Sequence, residues 1–246
     1  MEVHNYFSST RKEHPLHLTL LDPGKMSPDV LSNIAQQADT AGTDGIMVGG
    51  STDLSSENVE LSVQAIKNVT NLPVILFPSD SGALSGKADA IFFMTLLNSS
   101  SLQYIVGEQI ASATYIKKLG LETLSMAYLL LEPGMRAGLI GKARLLPRDE
   151  PNLVISHALA GQYLGMKYIY LEAGSGAESP VPSEMVEQVR KAVDNTLIVG
   201  GGIRTPESAK LLVDSGADII VTGTFVETSN SLVEDLKPII DAIHSA

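Results

Sequence analysis

The stretch 196–224, TLIVGGGIRTPESAKLLVDSGADIIVTGT, constrains the fold more than any other part of the chain. It reads as strand, glycine turn, helix, strand, glycine turn. An apolar run at 197–199 ends in Gly200-Gly201-Gly202, and a second at 218–222 ends in Gly223-Thr224. Between them Thr205 is placed to cap a helix that opens with Pro206, and Gly216 closes it. Strand ends that finish in glycine let the backbone approach an oxyanion, and the turn N–H groups can then hold a phosphate. Tight turning alone would explain one such pair. Two of them one βα unit apart, at the end of a chain of barrel length, favour the phosphate site that follows strands seven and eight of a (β/α)8 barrel.

The same unit recurs upstream. Strands are expected at 16–21, 44–48, 73–77, 90–94, 123–131 and 168–171. Helices are expected at 28–41, 56–69, 102–119, 151–164, 182–193 and 230–243, with Gly42, Gly120 and Gly165 as stops. Eight alternating units in 246 residues predict one (β/α)8 TIM barrel over 1–246, with an open doubly wound sheet as the runner-up. The pattern breaks once. Residues 78–87, PSDSGALSGK, are too short and too rich in Gly and Ser for a crossover helix, so a non-helical segment is expected in place of helix three. Residues 133–150 read as a long loop, of the kind that is usually functional or interfacial. The polar stretch 1–14 leads in as a helix or arm.

Composition narrows the chemistry. The chain has no cysteine, which removes disulfides, thiolate metal sites and cysteine nucleophiles. Its formal charge of −11 argues against nucleic acid and anionic lipid as partners. The polar N-terminus does not resemble a signal peptide, and no apolar run reaches the ~18 residues of a membrane span. A cytoplasmic α/β protein is the expectation.

In a barrel the residues just after each strand share one face. The polar ones here are Asp22, Ser51, Thr52, Asp80, Glu132, Glu172, Ser175 and Thr224. Asp22 and Ser51 close consecutive strands and offer hard oxygen ligands, which suit Mg²⁺ beside a phosphorylated substrate; Asp22 would equally serve as a helix cap. Glu172 precedes the turn Gly174-Ser175-Gly176, where a carboxylate suits a general base on a hydroxyl, or else a structural ion pair. Tyr170 shares its side of the strand. His4, His14, His17, His157 and His244 have no metal-ligand spacing; most are expected at the surface, with His17 a candidate for the barrel interior. Arg136, Lys142, Arg144 and Arg148 give the long loop a local positive charge.

These pieces together resemble the geranylgeranylglyceryl phosphate synthase family, which includes the bacterial heptaprenylglyceryl phosphate synthases. The resemblance rests on Leu21-Asp22-Pro23, Val48-Gly49-Gly50-Ser51, the run YLEAGSG at 170–176, Val199-Gly200-Gly201-Gly202-Ile203-Arg204 and Val221-Thr222-Gly223-Thr224. YLEAGSG is the distinctive piece, since GGGIR and a late Gly-Thr occur in many phosphate-binding barrels. The family's modified barrel, without a helix three, agrees with the gap at 78–87.

The resemblance implies a Mg²⁺-dependent prenyltransferase that joins the 3-hydroxyl of sn-glycerol 1-phosphate to a long-chain prenyl diphosphate, geranylgeranyl diphosphate by preference, and releases diphosphate. It assigns Asp22 and Ser51 to the metal. It assigns Tyr170, Leu171, Glu172, Ala173, Gly174, Ser175, Gly176, Gly201, Gly202, Gly223 and Thr224 to glycerol phosphate, with Glu172 as base. A prenyl groove is expected along Phe77, Phe92, Tyr104, Tyr115 and Tyr128, with Tyr104 and Ala111 as positions where a larger side chain would shorten the product. A homo-oligomer, either a dimer or a ring of dimers, is expected. A longer prenyl diphosphate, a sugar-phosphate isomerase or aldolase-type barrel, and a non-catalytic phosphate sensor stay open as alternatives.

Overall fold

Parallel strands pair in chain order and the last returns to the first, which closes the sheet into an eight-stranded barrel and removes the open-sheet alternative. The computed structural model describes residues 2–50, 55–229 and 231–246. The strands are β1 (Leu16–Leu21), β2 (Gly45–Val48), β3 (Val74–Leu76), β4 (Ala90–Leu96), β5 (Glu122–Leu130), β6 (Tyr168–Glu172), β7 (Thr196–Gly200) and β8 (Ile219–Thr222). The helices are α1 (Val3–Thr10), α2 (Pro28–Ala41), α3 (Ser56–Lys67), α4 (Glu108–Leu119), α5 (Met135–Ile140), α6 (Pro151–Tyr163), α7 (Ser183–Ala192), α8 (Pro206–Asp214), α9 (Thr224–Thr228) and α10 (Leu232–His244). Several begin and end as their residues dictate. Thr205 accepts the Ser208 N–H at the start of α8, and Gly42 ends α2 in the left-handed region at φ +100°.

Strand alternation splits the core in two. Leu16, Leu18, Met47, Ile75, Phe92, Leu124, Met126, Tyr168, Tyr170, Ile198 and Ile219 fill the barrel. Their neighbours Ile46, Val48, Ile169, Leu171, Leu197, Val199 and Ile220 meet the helices. Removing such a side chain from water contributes roughly 1.5–3 kcal/mol, so inverting one strand would cost several of these terms at once.

The barrel's amino-terminal end is stoppered. Val3 and Phe7 of α1 join the interior cluster, and Glu122 accepts the N–H groups of Val3 and His4 at 2.5 and 2.9 Å. Solvent therefore enters the barrel from the carboxyl-terminal end. The segment 78–87 is non-helical, as the sequence predicts. Ala83, Leu84 and Ala88 are buried in the outer cluster and cover part of what a helix would have covered. Beside it β3 and β4 share two residue pairs.

Three expectations need correction. The stretch 102–119 is helical throughout, but not all of it is α-helix: Gln103–Gly107 forms a π-helical turn that runs directly into α4. The stretch 133–150 is not structureless, because it holds α5 and is pinned by bridges between Ser99 and Ala143 and between Leu131 and Leu146. His17 does not face the barrel interior. It alternates with interior Leu16 and Leu18, so its ring points at the helix layer, where it bonds Thr43 and Thr222 at 2.8 and 2.9 Å. Complete burial there pushes its pKa down to about 3, against the pull of Asp44.

Candidate active site

The open end of the barrel carries two adjoining cavities. The smaller, about 40 Å³, lies over β6, β7 and β8 and is lined by Tyr170, Glu172, Ser175, Gly176, Gly201, Gly202 and Thr224 among others. The larger, about 180 Å³, runs from Asp22, Gly49 and Gly50 across Phe77, Phe92 and Tyr128 to Tyr104 and α5. Leu20, Glu172, Ser175 and Gly223 border both.

Close packing shapes the smaller cavity. A Cβ on Gly200 would lie 2.2 Å from the Tyr170 hydroxyl, and one on Gly201 would lie 2.3 Å from Glu172 Oε1. Gly201 and Gly202 also sit at φ +83° and +74°, where a side chain is strained. The GGG run thus admits Tyr170 and Glu172 as well as turning the chain. Ser175 and Thr224 join their hydroxyls at 2.7 Å and tie the turn after β6 to the turn after β8. Arg204 donates to the carbonyls of Glu178 and Gly176, which fixes the turn after β6 against the one after β7.

Glu172 is buried, and Oε1 accepts the Gly174 N–H at 2.6 Å. Burial raises its pKa; the Tyr170 hydroxyl and the Gly174 N–H pull the other way, and the net shift is upward. The Tyr170 hydroxyl faces this carboxylate, but among the described residues no partner meets it at full hydrogen-bonding geometry. A buried hydroxyl without a partner is costly unless a ligand or water completes it. The cavity therefore presents a raised-pKa carboxylate and a waiting hydroxyl beside two backbone turns, an arrangement suited to a small polyol phosphate.

Asp22 stands at the other rim. It does not cap α2, whose N-cap is Ser27. Instead Oδ1 accepts the Gly24 N–H at 2.9 Å, and Lys25 Nζ lies 3.8 Å from Oδ2. A Cβ on Gly50 would meet the carboxyl carbon at 2.2 Å, so glycine there leaves room for the Asp22 side chain. Asp80 lines the same cavity. Hard carboxylate donors opening onto one cavity fit a Mg²⁺ ion. Ser51 and Thr52 lie outside the described residues.

The expected groove is present in part. Phe77, Phe92 and Tyr128 contact one another edge to face inside the barrel mouth, and Tyr104 lines the far end. Tyr115 and Ala111 are exposed on α4 and do not line the groove; Glu108, Gln109 and Ser112 line it. Glu108 was not singled out in the sequence, since it sits inside what reads as one continuous helix. It accepts the Ser81 N–H at 2.8 Å and a Gln103 amide bond at 2.7 Å. Burial raises its pKa, but these bonds outweigh it and the net shift is downward. Of the four loop cations, Arg136 lines the groove, whereas Arg148 holds backbone carbonyls of Glu132 and Pro180, and Lys142 and Arg144 are exposed.

Residues 8–245 match the PcrB family. The chain belongs to the PcrB family. The geranylgeranylglyceryl phosphate synthase of Thermococcus gammatolerans is 50% identical over 236 residues, which cover 96% of this chain and 94% of that protein. The crystal structure of (S)-3-O-geranylgeranylglyceryl phosphate synthase from Thermoplasma acidophilum in complex with substrate sn-glycerol-1-phosphate superposes with a TM-score of 0.97. It is 47% identical, with full coverage of both chains. The wild-type synthase from Thermoplasma volcanium gives 0.97 at 46% identity, covering 100% of this chain and 99% of that one. The barrel expected from the sequence is thus the fold these two synthases share.

Proposed function

We propose that this protein is a Mg²⁺-dependent prenyltransferase. It forms an ether between the 3-hydroxyl of sn-glycerol 1-phosphate and C1 of geranylgeranyl diphosphate and releases diphosphate. The observation that carries the reading is the buried Glu172 carboxylate facing the Tyr170 hydroxyl, set between two glycine turns and opening onto an apolar groove. Family membership and the glycerol phosphate complex of the Thermoplasma acidophilum relative support it.

In this reading the N–H groups around Gly174–Gly176, Gly201–Gly202 and Gly223–Thr224 bind the phosphate, and Tyr170 and Glu172 bind the glycerol hydroxyls. Leu171 and Ala173 take part through their backbone, since their side chains lie in the outer core. Asp22, together with Ser51, would hold Mg²⁺, which offsets the charge that develops on the leaving diphosphate. Lys25 beside Asp22 and Arg136 on α5 add positive charge to the same cavity. The glycerol 3-hydroxyl is held facing the prenyl carbon, so orientation supplies much of the rate. As the bond from C1 to the diphosphate oxygen breaks, the glycerol oxygen bonds C1 and its proton passes to Glu172. A carboxylate with a raised pKa takes that proton more readily than an exposed one.

The prenyl tail follows Phe77, Phe92, Tyr128 and Tyr104. Exposed apolar residues on α4 and α6, among them Ile110, Tyr163 and Leu164, support self-association of the whole barrel as a homo-oligomer. Among the described residues no helix is long and apolar enough to cross a membrane, which suits a cytoplasmic enzyme meeting its lipid substrate at a surface. The test is transfer to radiolabelled sn-glycerol 1-phosphate from a ladder of prenyl diphosphates, with Glu172→Ala and Asp22→Ala beside the parent. Mg²⁺-dependent product that peaks at the C20 donor and collapses in both variants is expected. A peak at a longer donor would reassign chain length; no transfer at any length would overturn the activity.

A further inference from the structure

At the barrel's amino-terminal end, away from both cavities, three ligand-type side chains from distant parts of the chain converge. His14 lies in the turn before β1, Asp44 just before β2, and His244 is the last residue of α10. The sequence shows no metal-ligand spacing among its histidines because two of these three are 230 residues apart, being the difference between 244 and 14. Each of the three offers a ligand atom within 4.8 Å of the other two.

The geometry is compatible with coordination as well as with a hydrogen bond. His244 Nε2 lies 2.9 Å from Asp44 Oδ2, and the His14 and His244 rings are 4.1 Å apart at 44°. Four ligands around a tetrahedral Zn²⁺ at its usual bond lengths stand about 3.3 Å apart, so one edge of such a site is nearly formed. His14 Nδ1 is 2.8 Å from the Pro15 carbonyl, which can only accept. The proton therefore sits on Nδ1, and Nε2 carries the lone pair. A histidine N–H held by a carbonyl leaves the other ring nitrogen free to bind a metal, which is the usual outer support of a metal-bound imidazole. Asp44 is buried and its Oδ2 also receives the His17 N–H at 2.8 Å, which fixes the carboxylate.

We propose that His14, Asp44 and His244 form a three-ligand site for a borderline divalent ion of the Zn²⁺, Co²⁺ and Ni²⁺ class, with water as fourth ligand. Two imidazoles and one carboxylate suit these ions and disfavour Mg²⁺, which prefers an all-oxygen octahedron. The bound ion ties the last turn of α10 to the entrances of β1 and β2, so it staples the two ends of the chain. It stands apart from the transfer chemistry, and its test does not depend on that activity.

Purified full-length protein is stripped with chelator, held in excess Mg²⁺, and titrated with Zn²⁺ by calorimetry and thermal unfolding. Binding at one ion per chain is expected, with Tm rising by about 5–10 °C at a hundredfold excess over Kd. Co²⁺ at the same site is expected to show the visible d–d absorption of a tetrahedral nitrogen–oxygen set. His14→Gln keeps the His244–Asp44 contact, yet should abolish both the shift and the spectrum; His157→Gln, on exposed α6, should leave both intact. No binding to the parent, or a shift that survives in His14→Gln, would overturn the site.

Discussion

Gly201→Ala tests whether the GGG run exists to admit Glu172. Gly201 sits at φ +83°, where an alanine costs about 1–2 kcal/mol. Its Cβ would also meet Glu172 Oε1 at 2.3 Å and the Gly174 N and O at 2.8 and 2.9 Å. Overpacking of that kind adds about 1–3 kcal/mol. The sum is about 2–5 kcal/mol, and at about 2–4 °C per kcal/mol for a chain of this size the Tm falls by about 4–20 °C. Gly120 supplies the control, because it has φ +70° with nothing within 4 Å of a Cβ. Gly120→Ala should lose only the backbone part, about 1–2 kcal/mol. The clash also pushes Glu172 and Gly174 away from the proposed glycerol phosphate cradle. Losing one charge-assisted hydrogen bond there would weaken binding by about 10–100-fold. Calorimetric unfolding and titration with sn-glycerol 1-phosphate read both effects. A Gly201→Ala protein that melts with Gly120→Ala and binds within about twofold of the parent would refute the reasoning.

Other substitutions probe the rest of the site. The raised pKa of Glu172 means that the fold keeps a proton the unfolded chain has lost; that contribution is full below the ordinary value of 4.5 and fades as pH rises through the raised one. Glu172→Gln should therefore gain stability relative to the parent as pH rises in chemical unfolding, while transfer drops by about 10²–10⁴-fold; a gain that grows toward acid would contradict this. His17 runs the opposite way. Its pKa is lowered from 6.5 to about 3, so the unfolded chain binds a proton the fold refuses, and stability present above pH 6.5 is lost as pH falls toward 3. His17→Gln should cost stability at neutral pH but flatten this acid limb by up to about 1.36 kcal/mol per pH unit, and an unchanged slope in urea titrations would exclude the assignment. In the groove, Tyr104→Trp should shift product toward shorter chains, whereas Ala111→Trp, exposed on α4, should not. Equal length selectivity in both variants, measured with the donor ladder, would dismiss the groove's course.

Much of the fold was legible because strand and helix periodicity are local. The eight apolar strands, the stops at Gly42 and Gly216, the Thr205 cap and the missing third crossover helix all follow from neighbouring residues and their backbone preferences. The glycine-ended strands and the run at 170–176 also marked the candidate cradle, since residues after parallel strands must share one end of a closed barrel. What the sequence misread depended on distance. The π-turn at Gln103–Gly107 adds a residue to one turn, so positions beyond it fall out of the α-helical register that would align Ala111 and Tyr115 with Tyr104, and Gln109 and Ser112 line the groove. α5 emerges where Leu131 and Ser99 pin a segment that has no strong local pattern.

The chain's order of elements, its helix stops and the chemistry at its strand ends were determined by the sequence itself, because each rests on contacts within a turn or a strand. Only the tertiary structure decided that the sheet closes and that Tyr170 and Glu172 nest against Gly200 and Gly201. It alone turned His17 outward and brought His14 to His244. Those outcomes depend on which surfaces meet across the barrel, and no local pattern encodes the packing distance between residues far apart in the chain.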